Sequence, residues 1–515
     1  MTKLLKYQLL SILFCFAAVN ATGQTITQVT KTATVTTQTT NQATLVKTLT
    51  IDDALDIAEE NNPALKQTKL SLERTQQLLI ASKAGLKSQF SLTVNPIDYS
   101  KNRMYDTRVG EWYTNESFNS GGSFQVQQPI LLTDGVLSLT NNFSWRNSYS
   151  ETAAGNNSSK RFVNDLNLRL SQPLFTYNTR KMRLKQLEFD NENAGIRYAL
   201  QRLNLEQSIT TQFYAVYSAQ NELNTSQEAL KNSEQNYAIV KDKVEADMFR
   251  KEELYQSELT LAKDRSAVES QMVELENAKD ALKQTLGMPL DEDINVKADI
   301  QPSEVTIDLL HAVQNGLERR MELRQREIEE ELGEMTMITV KDENKFKGTM
   351  ALSVGITGDN EALGNIYDTP TQNPRVQISF SIPIFDWGER KARINAQKAT
   401  QTITKLQHED QKISIELEIR QTWRNIENLR NQIAIDLKNI DNAQLTYDLN
   451  LIRYREGELT GLQISQYQTQ LYNAKSSYTS TLIRYKQQVL RLKILALYDY
   501  EKDIPVVPAI NLNNN

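Results

Sequence analysis

The sequence predicts a mainly α-helical protein with β-strands of membrane-crossing length, built from one strand-then-helix unit that occurs twice. Three observations predict this fold class: a repeat at a fixed offset, segments in which apolar residues alternate, and long helical stretches without proline. The composition agrees, because the 515 residues include only 18 glycines and 11 prolines. A chain poor in helix breakers suits long helices.

The repeat is clearest in a short stretch that ends an alternating segment and opens a helical one. It reads SQPLFTYNTRKMR over residues 171–183 and SIPIFDWGERKAR over residues 381–393. The offset is 210 residues, and at this offset Phe213 aligns with Trp423 and Leu282 with Leu492. Self-similarity at a fixed offset indicates a tandem duplication.

Apolar and polar residues alternate in both halves, as in strands with one apolar face. Each run has roughly the 9 to 11 residues that a membrane-crossing strand needs. Aromatic residues near the ends of the runs favour a membrane sheet with interfacial girdles, whereas alternation alone leaves the edge of a soluble sandwich open. Within these runs the alternation is clearest over residues 90–94, 166–170, 350–356 and 376–384.

The first half has an insertion of about 50 residues between its paired strands, since Val94 matches Val354 at an offset of 260. The insertion contains alternating residues of its own, which predict another hairpin that turns at Asp134 and Gly135. The sequence leaves open whether this hairpin, near residues 122–148, joins the membrane sheet or caps a loop.

Two long helices follow the strands, at residues 179–245 and 389–455. At 1.5 Å per residue, each is about 100 Å long. A turn and a return helix of about half that length follow each one. Apolar residues at every seventh position of the return helices indicate coiled-coil packing. These columns are Leu254, Leu261, Val268, Leu275 and Leu282 in the first half, and Ile464, Leu471, Tyr478, Tyr485 and Leu492 in the second.

The N-terminus has the three-part pattern of a secretory signal peptide. Lys3 and Lys6 precede an apolar run over residues 9–19, and small and polar residues follow. The only cysteine, Cys15, lies inside this signal, so the mature chain has no thiol for a disulfide or a metal site. The formal net charge of −6 gives no support to a nucleic-acid partner.

No pattern in the sequence indicates an active site. His311 and His408 lie far apart on polar helices, where we expect solvated side chains, and neither has a partner at metal-ligand spacing. Carboxylates are abundant, but no pair is distinguishable as a general acid and base. We therefore expect a protein without enzymatic activity, cofactor or metal.

Basic residues occupy the first turns of both long helices, where the helix dipole disfavours cations by a few tenths of a kcal/mol each. An anionic partner is therefore expected near them. Phosphates at a membrane surface are one candidate, and simple solvation is the alternative. The arginines concerned are Arg180, Arg183, Arg390 and Arg393.

These features together resemble the TolC-like outer-membrane efflux proteins. The resemblance rests on the signal peptide, the duplication, the two motifs SQPLF and SIPIFDWGERKAR, and the stretch YREGELTGLQISQYQTQLYNAK over residues 454–475. It covers nearly all of residues 51–500. It implies a homotrimer with four strands per chain, in which an outer-membrane β-barrel continues into a long periplasmic α-helical barrel with an equatorial belt.

The duplication and this resemblance together divide the chain into six segments. They are a signal peptide (1–24), a threonine-rich segment (25–50), a first repeat (51–286), an equatorial linker (287–306), a second repeat (307–500) and a C-terminal tail (501–515). In the first repeat a half-helix precedes strands at 88–175, a long helix at 179–245 and a return helix at 250–286. In the second repeat a half-helix precedes strands at 346–385, a long helix at 389–455 and a return helix at 460–500.

The resemblance implies two functional regions. The helix-turn-helix tips form the periplasmic entrance and the docking surface for an adaptor protein; they correspond to Asp247, Glu456, Gly457, Glu458, Thr460, Gln463 and Gln466. Some members ring this entrance with aspartates, and here the aligned positions hold Gln463 and Gln466. The strand-to-helix junctions at the membrane comprise Pro173, Phe175, Arg180, Arg183, Pro383, Phe385, Trp387, Arg390 and Arg393.

The function implied is that of a passive exit duct in the outer membrane, which exports small molecules or polypeptides. A periplasmic adaptor protein, an inner-membrane pump and outer-membrane lipid are the implied partners. The alternative is a non-channel protein, either a periplasmic coiled-coil adaptor or a surface structural protein.

Overall fold

The computed structural model describes residues 47–107, 110–152, 155–298 and 305–506. The predicted signal peptide, residues 25–46 of the threonine-rich segment, residues 299–304 of the linker and residues 507–515 of the tail lie outside the described residues. In the described ranges, no helix is both long enough and apolar enough to cross a lipid bilayer.

Both halves of the chain run from short helices into strands and then into long helices. The first half contains β1 (Lys47–Leu49), α1 (Ile51–Asn61), α2 (Pro63–Gly85), β2 (Gln89–Asp106), β3 (Glu111–Ile130), β4 (Gly135–Thr152), β5 (Gly155–Leu174), α3 (Thr179–Glu245) and α4 (Lys251–Leu286). The second half contains β6 (Ile294–Val296), α5 (Leu309–Arg319), α6 (Met321–Asp342), β7 (Lys347–Asn360), β8 (Thr371–Gln372), β9 (Arg375–Ser381), α7 (Glu389–Arg455), α8 (Gly461–Ala496), β10 (Tyr498–Asp499) and β11 (Ile504–Pro505).

Capping residues explain where the first helices begin. The Asp53 N–H donates to Thr50 Oγ1 at 3.3 Å, and the Thr50 N–H donates to the Asp53 carboxylate at 3.0 Å. This capping box opens α1. Asn62 ends α1 and caps α2, where Pro63 takes the first position and has no N–H to satisfy. The two helices are therefore separate rather than one kinked helix.

The helices form a shaft in which each half contributes one continuous helix beside two shorter ones. α3 and α7 have 67 residues each, and each packs against a shorter helix at either end: α2 and α4 beside α3, α6 and α8 beside α7. Contacts of α3 with α6 and with α8 join the two repeats. Four helices therefore lie side by side at each level of the shaft.

Buried apolar side chains hold these helices together, and the seven-residue columns lie in the buried seams. Val268, Leu275 and Leu282 of α4 are buried, as are Leu471 and Leu492 of α8. The columns thus pack as the spacing predicts.

A short parallel pairing of β1 with β6 marks the middle of the shaft, where Leu49 lies opposite Val296. Beside it α4 ends at Gly287, which has a φ of +72°. A Cβ at this position would lie 2.7 Å from the Asn61 carbonyl oxygen. The side-chain amide of Asn62 also donates to the Thr285 carbonyl at 2.8 Å, so the end of α4 is fixed against the end of α1.

Six strands form one antiparallel sheet in the order β2-β3-β4-β5-β7-β9, with the two-residue β8 also paired to β7. The inserted hairpin is β3–β4, and it lies inside the sheet between β2 and β5. The resemblance implies four strands per chain, so this chain has two more. Strand pairing is non-local, which is why alternation in the sequence detects the hairpin but not its neighbours.

The first four long strands exceed the length needed to cross a bilayer. They have 18 to 20 residues, against 14 for β7 and 7 for β9. Their apolar face ends at a row of aromatic rings that includes Phe118 and Trp145, whose centroids are 5.8 Å apart. Past this row, Lys101 pairs with Glu116 on the same face. Because charges facing lipid are costly, these strand ends extend beyond the apolar belt.

Candidate functional site

The two helix-turn-helix tips have the same turn geometry, as expected of a duplicated unit. After α3, the Met248 N–H donates to the Lys243 carbonyl at 2.8 Å, and Asp247 has a φ of +55°. After α7, the Glu458 N–H donates to the Arg453 carbonyl at 3.0 Å, and Gly457 has a φ of +86°. Both helices thus end in a left-handed cap, and Asp247 adopts it without being glycine.

Two hydrogen bonds join the first tip to the second. Lys243 Nζ donates to the Arg455 carbonyl at 3.1 Å, and its ammonium lies 4.6 Å from the centroid of the Phe249 ring. The Gly461 N–H, at the start of α8, donates to Glu253 Oε2 at 3.2 Å. Lys243 and Glu253 were not among the residues that the sequence singled out, because each reads as one more charge on a solvated helix.

The predicted tip residues lie on the surface of the turns and at the start of α8. Asp247, Glu456 and Glu458 are exposed, and Glu458 pairs with Arg453 at 3.0 Å. Thr460 caps α8: its backbone N–H donates to Gln463 Oε1 at 2.9 Å, and the Gln463 N–H donates to the Thr460 hydroxyl at 3.4 Å. Gln463 therefore stabilises the helix start, whereas Gln466 is exposed one turn later.

A tyrosine-rich core lies directly beneath the tips. It includes Val240, Tyr447, Tyr454, Ile464 and Leu471, which come from α3, α7 and α8. Burial raises the pKa of the Tyr454 phenol to about 12, so this hydroxyl stays neutral at physiological pH. The tips rest on an uncharged apolar base, while their charged groups lie at the surface.

The strand-to-helix junctions place aromatic side chains in the open. Ser381 ends β9 shortly before Pro383, and Phe385 and Trp387 follow with 70% and 90% of their surface exposed. Their rings meet edge to face at 4.7 Å. At the matching place in the first half, Phe175 follows Pro173 with 59% exposure. Exposed aromatic rings at the end of an apolar strand face are typical of a membrane interface.

The first helical turn of α3 has a buried anion next to its arginine. Arg180 pairs with Asp134 at 2.6 Å, and Asp134 also accepts from the Thr179 N–H at 3.1 Å and from the Thr179 hydroxyl at 2.7 Å. Burial acts to raise the pKa of the Asp134 carboxyl, but the hydrogen bonds from Thr179 and the charge of Arg180 outweigh it and hold this pKa below its usual value.

The other junction arginines also find partners within the chain. Arg393 pairs with Glu389 at 2.7 Å and with Glu343 at 3.4 Å, while Arg390 donates to the Lys341 carbonyl at 2.9 Å. Arg183 donates to Gln186 at 3.3 Å. The sequence pointed to lipid phosphates or water as compensation for these cations, and the protein itself supplies part of it.

The two histidines differ in their surroundings. His408 Nδ1 lies 2.6 Å from Glu330 Oε1 and the side chain is only 12% exposed, so the expectation of a solvated residue is wrong for it. His311 is exposed, with its ring 5.1 Å from that of Tyr498. Within the described residues, no group of three or more His, Cys, Asp and Glu side chains could hold a metal ion.

Comparisons with known proteins agree with this architecture. Residues 349–496 match the family model described as outer membrane efflux protein. No curated protein matches the chain. Among solved structures, the CmeC outer membrane channel of Campylobacter jejuni is 15% identical over 89% of this chain and 87% of that one, with a TM-score of 0.66.

Two further solved structures have a similar fold. The outer membrane protein VceC of Vibrio cholerae is 11% identical over 89% of this chain and 97% of that one, with a TM-score of 0.63. The open-state MtrE outer membrane channel of Neisseria gonorrhoeae is 16% identical over 87% of this chain and 88% of that one, also with a TM-score of 0.63. At such identities the likeness shows the fold.

Proposed function

We propose that the chain is a TolC-like outer-membrane efflux protein and the exit duct of a tripartite efflux or type I secretion system, since residues 349–496 match the outer membrane efflux protein family. It lies in the bacterial outer membrane, with its helical part in the periplasm. Export through it is passive, because an inner-membrane pump supplies the energy and this chain performs no chemistry of its own.

The observation that carries this proposal is one sheet with an apolar and a polar face, continuous with helices about 100 Å long. Leu139, Leu168 and Val354 lie side by side on the apolar face, each at least 37% exposed. Thr140, Asn167 and Gly355 form the neighbouring row on the opposite face. Such a sheet fits lipid on one side and a water-filled lumen on the other.

Closure of the sheet requires further copies of the chain. In the described residues, β2 and β9 each pair on one side only and thus form the two edges. Open strand edges are not tolerated in lipid, because their N–H and C=O groups lack partners. We propose a homotrimer in which β9 of one copy pairs with β2 of the next.

The tips are proposed as the periplasmic entrance and as the surface that docks an adaptor protein. The bonds of Lys243 to the Arg455 carbonyl and of Gly461 to Glu253 hold the two hairpins of one chain together. Opening the entrance would separate them. The exposed carboxylates of Asp247 and Glu456 suit basic groups on an adaptor.

Single-channel recording of the purified trimer in a planar lipid bilayer tests this function. The double substitution Lys243→Ala with Glu253→Ala removes both of these bonds at the tips, and we expect it to increase the conductance over that of the wild type several-fold. The matched control is Lys241→Ala with Glu252→Ala, which changes the same charges at neighbouring exposed positions. It should leave the conductance unchanged.

The alternative functions make a different prediction. A periplasmic coiled-coil adaptor or a surface structural protein would show no conductance in either variant, and an adaptor would leave the cell envelope without detergent. Absence of conductance in both double variants, from protein shown to be trimeric and inserted, would refute the duct.

A further inference from the structure

We propose that the membrane section of this duct is an eighteen-stranded barrel about as wide as its helical section, and that it therefore passes bulkier cargo than a barrel of twelve strands. The inference rests on the proposed three-copy duct. It adds the number of strands, the bore and the size class of the cargo.

The inserted hairpin, β3–β4, lies between β2 and β5 in the sheet. β3 pairs with β2 from Gln127 to Glu111, and with β4 from Thr114 to Ile130. β4 in turn pairs with β5 from Val136 to Thr152. The hairpin is therefore not an appendage at the rim, because β3 is the neighbour of β2 and β4 is a neighbour of β5.

The hairpin lies at the same depth in the membrane as the strands on either side of it. Its apolar residues stand in the same cross-strand rows as those of the flanking strands. One row consists of Phe90, Val126, Leu139, Leu168 and Val354, and the polar row on the other face consists of Thr93, Ser123, Asn142, Asp165 and Thr357. β3 and β4 thus present one face to lipid and one to the lumen at the same level as their neighbours.

The two edge strands of the sheet, β2 and β9, are exposed and unpaired on their outer sides within the described residues. All residues of β9 and nearly all described residues of β2 are exposed, whereas β3 is mostly half-buried. β2 runs from the helical part towards the far side of the membrane and β9 runs back. Copies joined edge to edge would therefore pair antiparallel, as every pair within the sheet does. Three copies of six strands give eighteen.

The widths of the two sections then agree. Strands about 4.8 Å apart and tilted by about 40° give eighteen strands a circumference of about 110 Å. Four helices per copy give twelve at each level of the shaft, and at about 9 to 10 Å each their ring measures about 110 to 120 Å. Twelve strands would close at only about 75 Å. The extra hairpin thus lets the barrel wall continue the helical wall without narrowing.

The bore follows from the same geometry. After about 5 Å of side chain on each wall is subtracted, eighteen strands leave a lumen about 25 Å across, against about 14 Å for twelve. The faces that would line it carry mainly Ser, Thr, Asn and Gln, which hold water rather than apolar ligands. This section suits hydrated polypeptide segments or large polar molecules in addition to small molecules.

Cryo-electron microscopy of the full-length trimer in lipid tests the proposal, alongside a variant lacking residues 111–152. The deletion removes β3 and β4, and β2 and β5 can then pair antiparallel because Phe90 and Leu168 belong to the same row. We expect eighteen strands with a backbone diameter of about 36 Å in the wild type, and twelve with about 24 Å in the variant. With Lys243→Ala and Glu253→Ala added to both, the barrel conductance should fall about threefold in the deletion variant, following the cross-sectional area.

Engineered cysteines give a second readout if the deletion variant does not assemble. The only cysteine of the chain, Cys15, lies in the predicted signal peptide. Pairs formed from positions 92 and 94 of β2 with positions 376 and 378 of β9 should yield covalent trimers, and a pair of Val126→Cys with Leu139→Cys should close within one chain. A conducting trimer with twelve barrel strands and the hairpin outside would overturn this inference alone. An eighteen-stranded trimer that does not conduct would overturn the proposed function instead.

Discussion

Asp134 stabilises the start of a 67-residue helix from a position 45 residues before it. Its carboxylate receives the Thr179 N–H and hydroxyl and the Arg180 guanidinium, and it is 7% exposed. A buried anion at a helix N-terminus interacts favourably with the dipole and also offsets the cation that follows. In the second half, Asp386 stands just before α7 and accepts hydrogen bonds only from the backbone N–H groups of Gly388 and Arg390.

We expect Asp134→Asn to lower the stability of the folded chain by about 2 kcal/mol at pH 7, because it removes a charged acceptor from a buried site. The folded-state pKa of Asp134 lies below its usual 3.8. Its stabilisation is therefore complete above the unfolded-state pKa and is lost as the pH falls through the folded-state pKa. Thermal unfolding at pH 7 and near pH 3 should show a deficit that shrinks in acid. Asp386→Asn is the control and should lower the stability by less. An equal or larger loss of stability in that variant would contradict the role given to Asp134 at the start of α3.

The sequence reveals contacts between residues only when those residues lie close together along the chain. The capping box of Thr50 and Asp53 is local, because its two residues lie three positions apart in the sequence. The partner of Arg180 could not be found, since nothing in SQPLFTYNTRKMR points to an aspartate in the turn between β3 and β4. The bond from Gly461 to Glu253 spans 208 residues and was missed for the same reason. Local sequence patterns identify where helices begin. Contacts between residues that are distant in sequence become visible only in the three-dimensional structure.

At the scale of elements, the end of α4 depends on a glycine. Gly287 combines a φ of +72° with a backbone carbonyl 2.7 Å from where a Cβ would lie, and that carbonyl belongs to Asn61 at the end of α1. The left-handed conformation and the close approach both exclude larger residues. The two helices can meet at the equator because this position has no side chain.

Gly287→Ala should therefore destabilise the chain by roughly 1 to 3 kcal/mol, from backbone strain and displacement of the α1 end. Gly85→Ala provides a matched control, because Gly85 is the last residue of α2 and a Cβ there meets no atom within 4 Å. That substitution should be neutral or slightly stabilising. Thermal unfolding of the two variants under identical conditions measures the difference, and equal midpoints would show that the contact with Asn61 carries no strain.

The elements also show which parts of the fold the sequence could supply. Period and length gave the long helices and the buried columns at Leu275 and Leu471, because each depends on residues close in sequence. Alternation detected the β3–β4 hairpin but gave neither its place between β2 and β5 nor the full strand lengths. Strand ends past the aromatic row carry pairs such as Lys101 and Glu116, so their apolar alternation fades although the ladder continues.

At the scale of the whole molecule, the polar face of the sheet carries a local basic patch near its helical end. Arg169 and Arg375 flank Ser353 on neighbouring strands of this face. Among the described residues, no carboxylate lies within 4.0 Å of either guanidinium. The nearby Asp165 accepts a hydrogen bond from the Thr357 hydroxyl at 2.8 Å. Three copies would repeat this patch around the lumen.

Replacing both arginines, Arg169→Gln with Arg375→Gln, should make the open duct more selective for cations, because counter-ions concentrate where a lumen wall carries unpaired charge. The reversal potential across a salt gradient, recorded with Lys243→Ala and Glu253→Ala present to open the tips, should move towards the cation equilibrium potential. The effect should fade at about 1 M salt, where screening acts within about 3 Å. Arg103→Gln with Lys160→Gln changes the same charge on the outward face and should leave the potential unchanged. A shift of equal size in that control would mean that Arg169 and Arg375 do not face the permeating ions.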